Sequence, residues 1–269
     1  MAQSKYDVTI VDAETLNVLL IGRSQCGKSA LVEALKNPRY CRTNASVSIT
    51  RQAKCHSMVM TTEDGQGKKH YQLNVIDSPG LKEVSWDKEH QRTDEELLAL
   101  VQLCIEQNIT TINCVCFVSI AGETHQLDID IFEKLMDFLG PELSANTIML
   151  LTHCEQYTDA KLKEFQDNIR DHKGSERAFR YCRLGLLYHG LLHFDELQTY
   201  THNQLLYDEI VDHKLALITP HRLKLIQCLV STAGKQKPIK MIQEILNSAD
   251  ERHRVVYNYL NSPSRCTMM

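Results

Sequence analysis

The stretch NVLLIGRSQCGKSALVEAL, residues Asn17–Leu35, decides the fold that this sequence predicts. A short apolar run over Leu16–Ile21 leads into glycines, and apolar residues then recur at helical spacing until Pro38. Buried parallel strands are continuously apolar, and a proline ends a helix before it, so the order is typical of a strand followed by a helix. The loop between them therefore joins a strand to the start of a helix.

The loop Gly22–Ser29 fits the pattern G-x-x-x-x-G-K-[ST] at every fixed position. Its glycines let backbone N–H groups approach phosphate oxygens, and the helix presents its positive N-terminal end to the same anion. Lys28 is predicted to contact the β and γ phosphates, and Ser29 to bind Mg²⁺. A glycine-rich turn without a ligand is the alternative, and the strand–loop–helix context argues against it. The predicted phosphate-binding residues are Gly22, Arg23, Ser24, Gln25, Cys26, Gly27, Lys28, Ser29 and Ala30.

A second motif on the phosphate side, Asp77-Ser-Pro-Gly80, follows the apolar run YQLNVI. Asp77 is predicted to be the second carboxylate associated with Mg²⁺, and Gly80 to offer its amide to a γ-phosphate. A simple turn is the alternative, because Asp, Ser, Pro and Gly all favour turns. After a complete phosphate loop, the functional interpretation is favoured.

The tetrapeptide Thr152-His153-Cys154-Glu155 ends a late apolar strand and is the candidate base-binding motif. A carboxylate at the C-terminal end of such a strand can accept hydrogen bonds from N1–H and N2–H₂ of guanine, which adenine does not supply. Glu155 is predicted to take this role, with Thr152 and His153 where other proteins carry Asn-Lys. An ordinary polar loop is the alternative.

Strand and helix patterns alternate along most of the chain, which predicts an α/β P-loop NTPase fold. Its mostly parallel sheet would be covered by helices on both faces, and a helical C-terminal extension would follow. The extension is either an accessory subdomain or the last layer of the same core, with a predicted division into residues 15–200 and 201–269. Predicted strands cover residues 112–120, 147–152 and 179–188, and a predicted hairpin covers 55–62 and 70–76. Predicted helices cover residues 93–107, 127–139 and 158–172. In the helical region that follows, breaks are predicted at Pro220 and at 233–238.

Composition excludes several classes of function. The net charge of −4 gives no overall basic field, so nucleic acid is not an expected partner. No apolar window reaches membrane-spanning length and the start is not a signal peptide, so a cytoplasmic location is expected. The ten cysteines, Cys114 and Cys116 among them, are then interpreted as reduced thiols rather than disulfides or metal ligands.

The motifs resemble those of the immunity-associated nucleotide-binding GTPases (the GIMAP, IAN or AIG1-type group), which are related to chloroplast Toc receptors and septins. The resemblance covers residues 15–190 and depends on GRSQCGKSALVEAL, SITR, VIDSPGL and the segment from Ile112 to Gln156. It implies GTP or GDP and Mg²⁺ as cofactors. It also implies that Thr50 of the first switch reaches Mg²⁺, which makes Lys28 and Thr50 the candidate catalytic residues.

The resemblance implies a GTP-dependent homodimer, because relatives pair across their nucleotide sites. Position 81 is Leu, so no glutamine orients water after Gly80, and intrinsic hydrolysis is expected to be slow. The stretch RYCRLGLLYHGLLHF also lacks the asparagine with which relatives touch guanine. The expected function is a GTP-dependent dimerising switch or scaffold; the alternatives are an ATP-binding kinase-like enzyme and a nucleotide-binding interaction module without hydrolysis.

The last residues, Cys266-Thr-Met-Met269, fit the C-a-a-X signal for farnesylation, although Thr267 is not aliphatic. A single lipid gives weak and reversible membrane binding. Lipidation at Cys266 and attachment to the cytosolic face of a membrane are therefore expectations from the sequence.

Overall fold

The computed structural model describes residues 12–42, 53–64, 67–78, 100–122, 126–172, 174–240, 242–244 and 247–248. Three predicted site residues, Thr50, Gly80 and Cys266, lie outside these ranges.

Strands and helices alternate along the described chain. The strands are β1 (Ala13–Gly22), β2 (Cys41–Arg42), β3 (Lys54–Asp64), β4 (Gly67–Asp77), β5 (Thr111–Ile112), β6 (Cys114–Ile120), β7 (Thr147–Thr152), β8 (Leu186–Tyr188), β9 (Leu192–His193) and β10 (Lys237–Pro238). The helices are α1 (Lys28–Lys36), α2 (100–106), α3 (Gln126–Leu139), α4 (Asp159–Asp171), α5 (Glu176–Tyr181), α6 (Phe194–Gln198) and α7 (Gln204–Ser231), with a 3₁₀ helix over Pro141–Asn146.

Six strands form the central sheet, in the order β3-β4-β1-β6-β7-β8. Every neighbouring pair is parallel except β3 with β4, which form the predicted hairpin. The register places Asp77 beside Leu20, Gly22 beside Val118 and Thr152 beside Ile120. Because these pairs lie at the C-terminal ends of parallel strands, the predicted phosphate and base motifs meet at one edge of the sheet.

Helices cover both faces of the sheet, which confirms the predicted fold class. On one face, apolar residues of α2, α3, α4 and α5 bury the sheet, and the ring of Phe132 stacks on Phe117 with centroids 4.7 Å apart. On the other face, α1 and α7 pack over β1 and β6, where Cys114 and Cys116 are buried together as the alternation of a strand predicts.

Helix α7 packs in the same core as the sheet. Its residues Leu225 and Leu229 are buried with Leu16 of β1 and Leu31 of α1. The guanidinium of Arg222 donates hydrogen bonds to two backbone carbonyls at the end of α1, 3.4 Å and 3.1 Å away. The exact division at residue 200 stays a prediction.

The predicted strand over 179–188 is wrong in its first half, because residues up to Tyr181 form α5 and only Leu186–Tyr188 are extended. Aromatic residues favour strands, but tertiary packing overrides that preference here. The Tyr181 ring stacks on Phe117, and its hydroxyl donates to the Gly140 carbonyl at 2.5 Å. The predicted strand over 112–120 is likewise interrupted at Asn113, whose side chain accepts from the Asn17 amide at 2.9 Å.

The predicted break at Pro220 is also wrong, because α7 continues through it to Ser231. A proline removes one backbone donor and leaves the carbonyl four residues earlier without its helical partner. Both Pro220 and Ala216, which carries that carbonyl, lie on the exposed side of α7, where water can solvate it. The break at 233–238 is confirmed in part, since α7 ends before it and Lys237–Pro238 then pair with β5.

Candidate nucleotide site

The loop Gly22–Ser29 has the backbone geometry that its glycines predicted. At Gly22 an added Cβ would lie 2.2 Å from the Val118 carbonyl oxygen, so only glycine allows this approach to β6. Gly27, which precedes α1, has φ +90°, and Gln25 is also in the left-handed region with φ +65°. Such backbone is costly for residues other than glycine and concentrates at functional sites. The loop therefore wraps tightly before the N-terminus of α1.

The ammonium of Lys28 lies beneath this loop. Its Nζ donates to the carbonyl oxygens of Gly22 at 2.9 Å and Arg23 at 2.8 Å. The residue is only 5% exposed. A buried cation held by neutral carbonyls keeps much of its charge uncompensated, which makes this position attractive for phosphate oxygens.

Ser29 and Asp77, the two predicted Mg²⁺ ligands, meet directly: Ser29 Oγ donates to Asp77 Oδ2 at 2.6 Å. Asp77 is 1% exposed, and its Oδ1 has no hydrogen-bond partner among the described residues. Burial raises the pKa of Asp77 above its ordinary value, although the Ser29 hydrogen bond and the Lys28 charge oppose this. A hydroxyl and a carboxylate with an unsatisfied oxygen are ligands that suit Mg²⁺, so the pair fits the cation.

Arg23 reaches a buried acidic partner that the sequence did not indicate. Its Nε lies 3.5 Å from Asp128 Oδ1, and Asp128 is fully buried in the first turn of α3. Ser119 donates to the other carboxylate oxygen at 3.2 Å. This ion pair ties the phosphate loop to α3. The available signal was the arginine itself, since a charge so close to a buried strand requires a partner.

Thr152 contacts the phosphate loop. It is buried, and its Oγ1 donates to the Cys26 carbonyl at 2.7 Å, with the Ser119 carbonyl 3.2 Å away. The next residue, His153, has φ +59°, a left-handed backbone conformation that is uncommon for residues other than glycine. The end of β7 is therefore attached to the loop that precedes α1.

The carboxylate of Glu155 is held by two residues that follow β8, Leu191 in the loop and His193 at the end of β9. Its Oε2 accepts from the Leu191 amide at 3.1 Å, and its Oε1 lies 2.8 Å from His193 Nε2. Burial alone would raise the pKa of Glu155, but the hydrogen bonds and charge from His193 and the backbone donors lower it overall. A carboxylate has about four lone-pair sites, so the contacts with His193, the Leu191 amide and its own backbone amide leave capacity for a base. His193 was missed in the sequence, where nothing distinguishes it from other histidines.

The structure brings the described phosphate-side and base-side residues to one edge of the sheet. Ser24 and Ala30 are half-buried and Gln25 is exposed on the loop. Within the described ranges, no group of three or more His, Cys, Asp or Glu side chains could hold a metal ion by itself. The described helices include none with the length and apolarity to cross a membrane.

A strand, a tight glycine loop with a buried lysine, and a helix whose first-turn serine meets an aspartate at the end of a parallel strand define a P-loop nucleotide-binding domain. Comparison with known families agrees: the sequence model of the AIG1 family matches residues 16–175. The chain belongs to the AIG1 family.

Two curated relatives are both GTPase IMAP family member 8. The protein from Rattus norvegicus is 24% identical over 176 residues, covering 65% of this chain and 24% of that protein. The protein from Homo sapiens is 25% identical over 173 residues, covering 64% and 24%. The chain thus spans about a quarter of the length of these relatives.

Solved structures of Toc33 from Arabidopsis thaliana are also similar. A dimerization-deficient mutant is 22% identical with a TM-score of 0.47, covering 66% of this chain and 71% of that chain. The complex with GDP and Mg²⁺ is 20% identical with a TM-score of 0.45 and the same coverage.

Proposed function

We propose that this chain binds GTP with Mg²⁺ and acts as a GTP-dependent dimerising switch or scaffold that hydrolyses GTP slowly. The observation that carries the proposal is the hydrogen bond between Ser29 and the buried Asp77, next to the loop that encloses Lys28. Membership of the AIG1 family supports guanine over adenine nucleotides.

On the phosphate side, Lys28 attracts the β and γ phosphates, and the amides at the start of α1 donate to them. Ser29 and Asp77 would hold Mg²⁺, with Thr50 as the predicted third protein ligand and Gly80 as a predicted amide donor. Mg²⁺, when bound, neutralises negative charge on the β and γ phosphates. A cation held there would satisfy the buried Asp77 oxygen that has no hydrogen-bond partner among the described residues.

On the base side, Glu155 is proposed to select guanine. Its lowered pKa keeps the carboxylate ionised at neutral pH, as required for accepting two N–H groups. Hydrogen bonds from the Leu191 amide and the His193 side chain hold the carboxylate in place. Adenine offers an acceptor where guanine has N1–H, so the ionised carboxylate discriminates against it.

Slow hydrolysis is proposed because Leu81 stands where a water-orienting glutamine would follow the Asp77–Gly80 motif. A partner that supplies groups in trans would then accelerate the reaction. Dimerisation across the nucleotide face follows from the family resemblance, with residues 38–54 and 81–92 as the proposed switch segments.

Calorimetric titration with GTP, GDP and ATP in the presence of Mg²⁺ tests the proposal, with light scattering of the same samples to measure oligomeric state. We expect tight binding of both guanine nucleotides, much weaker binding of ATP, and dimers only with a non-hydrolysable GTP analogue. Binding of ATP as tight as that of GTP would contradict guanine selection and favour a kinase-like enzyme. GTP binding without phosphate release over many hours would favour an interaction module.

A further inference from the structure

The phosphate loop is attached to its surroundings at three points. Gly22 lies against the Val118 carbonyl of β6, where only glycine fits. The Cys26 carbonyl accepts a hydrogen bond from Thr152, at the end of β7, over 2.7 Å. The third attachment is the side chain of Arg23, which leads to α3. This third attachment is an ion pair rather than a contact of the loop backbone.

The guanidinium of Arg23 compensates a carboxylate that has no access to water. Arg23 Nε lies 3.5 Å from Asp128 Oδ1, and Asp128 is fully buried. Ser119 of β6 donates a hydrogen bond to the other carboxylate oxygen at 3.2 Å. A buried carboxylate is costly unless a cation and hydrogen-bond donors surround it. The charge of Arg23 is therefore engaged by α3, whereas the charge of Lys28 is held only by neutral carbonyls.

The backbone of Arg23 also holds the phosphate-binding lysine. Its carbonyl accepts a hydrogen bond from Lys28 Nζ at 2.8 Å, and the Gly22 carbonyl accepts from the same ammonium at 2.9 Å. Gly22 is fixed as the last residue of β1, where it pairs with β6. Arg23 follows the end of β1, and its side chain joins it to α3. Because one residue carries both contacts, the position of the ammonium depends on the ion pair with Asp128.

The charge of Asp128 also reaches the inside of the phosphate loop. Burial raises the pKa of the Cys26 thiol, and the charges of Lys28 and Asp128 act on it in opposite directions, the first lowering and the second raising it. A carboxylate this close to the loop repels phosphate electrostatically. Removal of its negative charge would by itself favour phosphate binding. A loss of affinity on its removal would therefore have to come from geometry.

We infer that Arg23 and Asp128 are positioning residues that hold the phosphate loop in the conformation that binds nucleotide. Gln25 and Gly27 both have positive φ, and such backbone persists only where surrounding contacts maintain it. With the ion pair in place the loop is ordered before nucleotide arrives, so binding does not have to order it. The inference rests on the proposed function and deepens it, because Arg23 acts through loop geometry rather than by contact with phosphate.

Three substitutions at the ion pair separate geometry from charge. Asp128→Asn removes the negative charge and keeps the size of the side chain. Arg23→Met removes the guanidinium and keeps most of the alkyl stem, and Arg23→Lys restores a cation without the guanidinium.

Two further variants serve as controls. Asp137→Asn, at the other end of α3, breaks the exposed ion pair with Arg177, whose charged atoms are 3.3 Å apart. Leu143→Ala removes a buried side chain from the 3₁₀ helix that precedes β7, at the opposite end of the sheet from the phosphate loop. The second control lowers stability without touching the loop.

The experiment measures dissociation constants for GDP and for a non-hydrolysable GTP analogue by calorimetry, well below the unfolding temperature of each variant. Asp128→Asn and Arg23→Met are each expected to weaken both nucleotides about 10-fold, the order typical of residues that orient direct ligands. The losses should be equal for the two nucleotides, which share the phosphates that the loop contacts. The double variant should be no weaker than the weaker single variant, and Arg23→Lys should recover part of the loss. Both controls should bind as the wild-type protein does.

Several outcomes would overturn the inference. Tighter binding by Asp128→Asn would show that Asp128 acts through its charge alone. Unchanged binding with a lower unfolding temperature would show a purely structural ion pair. A loss in Arg23→Met without a loss in Asp128→Asn would show that Arg23 contacts phosphate directly. Should Arg23→Met fail to fold because Asp128 is left buried without this counter-ion, the comparison of Asp128→Asn with Leu143→Ala decides.

In each of these cases wild-type protein still binds guanine nucleotides, and the proposed function stands. Wild-type protein that binds neither GDP nor the GTP analogue would refute the proposed function, and this inference with it.

Discussion

The phosphate side and the base side of the site are built in different ways. On the phosphate side, Gly22, Gly27, Lys28 and Ser29 come from one short loop, and the backbone supplies most of the geometry. On the base side, Glu155 is held by residues almost forty positions away, through side-chain contacts with His193 and the Leu191 amide. Local backbone geometry tolerates little change, whereas a site assembled from side chains can be altered one contact at a time.

The largest effect is expected from Lys28→Ala, which removes the buried cation beneath the loop. Nucleotide affinity should fall roughly 100-fold or more, because backbone donors alone do not replace a charge at the phosphates. Calorimetry with GDP and GTP measures this loss. Lys36→Ala, at an exposed lysine of the same helix, is the control, and an unchanged affinity in Lys28→Ala would refute the phosphate site.

The rigidity of the phosphate side is tested next by Gly22→Ala. The new Cβ would meet the Val118 carbonyl oxygen at 2.2 Å, so β1 and β6 must separate locally. We expect the free energy of unfolding to fall by about 1–3 kcal/mol, as for other overpacked sites. Chemical denaturation measures it against Gly174→Ala, where the nearest atom, 3.2 Å away, belongs to the exposed His172 side chain. Equal stability of the two variants would show that the loop is not held against β6.

The variant Glu155→Ala tests base selection by the base side of the site. Loss of the carboxylate should weaken GTP about 10-fold and ATP much less, since only guanine donates to it. Competition binding with the two nucleotides measures the ratio, and Glu142→Ala at an exposed glutamate serves as the reference. Equal losses for GTP and ATP would remove Glu155 from base selection.

The smallest effect concerns His189, in the loop after β8. Its ring is buried, both ring nitrogens have no hydrogen-bond partner among the described residues, and burial lowers its pKa from 6.5 to about 4. The unfolded chain therefore binds this proton at a higher pH than the native protein does. Stability should fall as the pH decreases from 6.5 to 5.5, by about 1 kcal/mol from this residue. Denaturation at both pH values should show a smaller decrease in stability for His189→Met than for the wild-type protein. Identical decreases would show that His189 is exposed to water.

The contrast between the phosphate side and the base side also explains which features could be predicted from the sequence. The strand, the loop and the start of α1 could be predicted because their signals are local: glycine conformation, apolar spacing and a lysine at a fixed offset. Asp128 and His193 could not be found, because their roles depend on which elements the fold brings together. The predicted break at Pro220 came from a local rule, which fails because the carbonyl that loses its partner is on the exposed side of α7. The predicted strand through Tyr181 came from the strand propensity of aromatic residues, which stacking on Phe117 overrides.

The contact of Arg222 with the end of α1 has a consequence for where the chain can be cut. Helix α1 carries the phosphate-binding lysine at its first turn, and its last carbonyls receive hydrogen bonds from α7. A fragment that stops at residue 200 would leave those carbonyls without Arg222 and would expose Leu16 and Leu31 to water. A fragment able to fold by itself is therefore expected to extend at least through Ser231, and proteolysis between α6 and α7 should inactivate nucleotide binding from a distance.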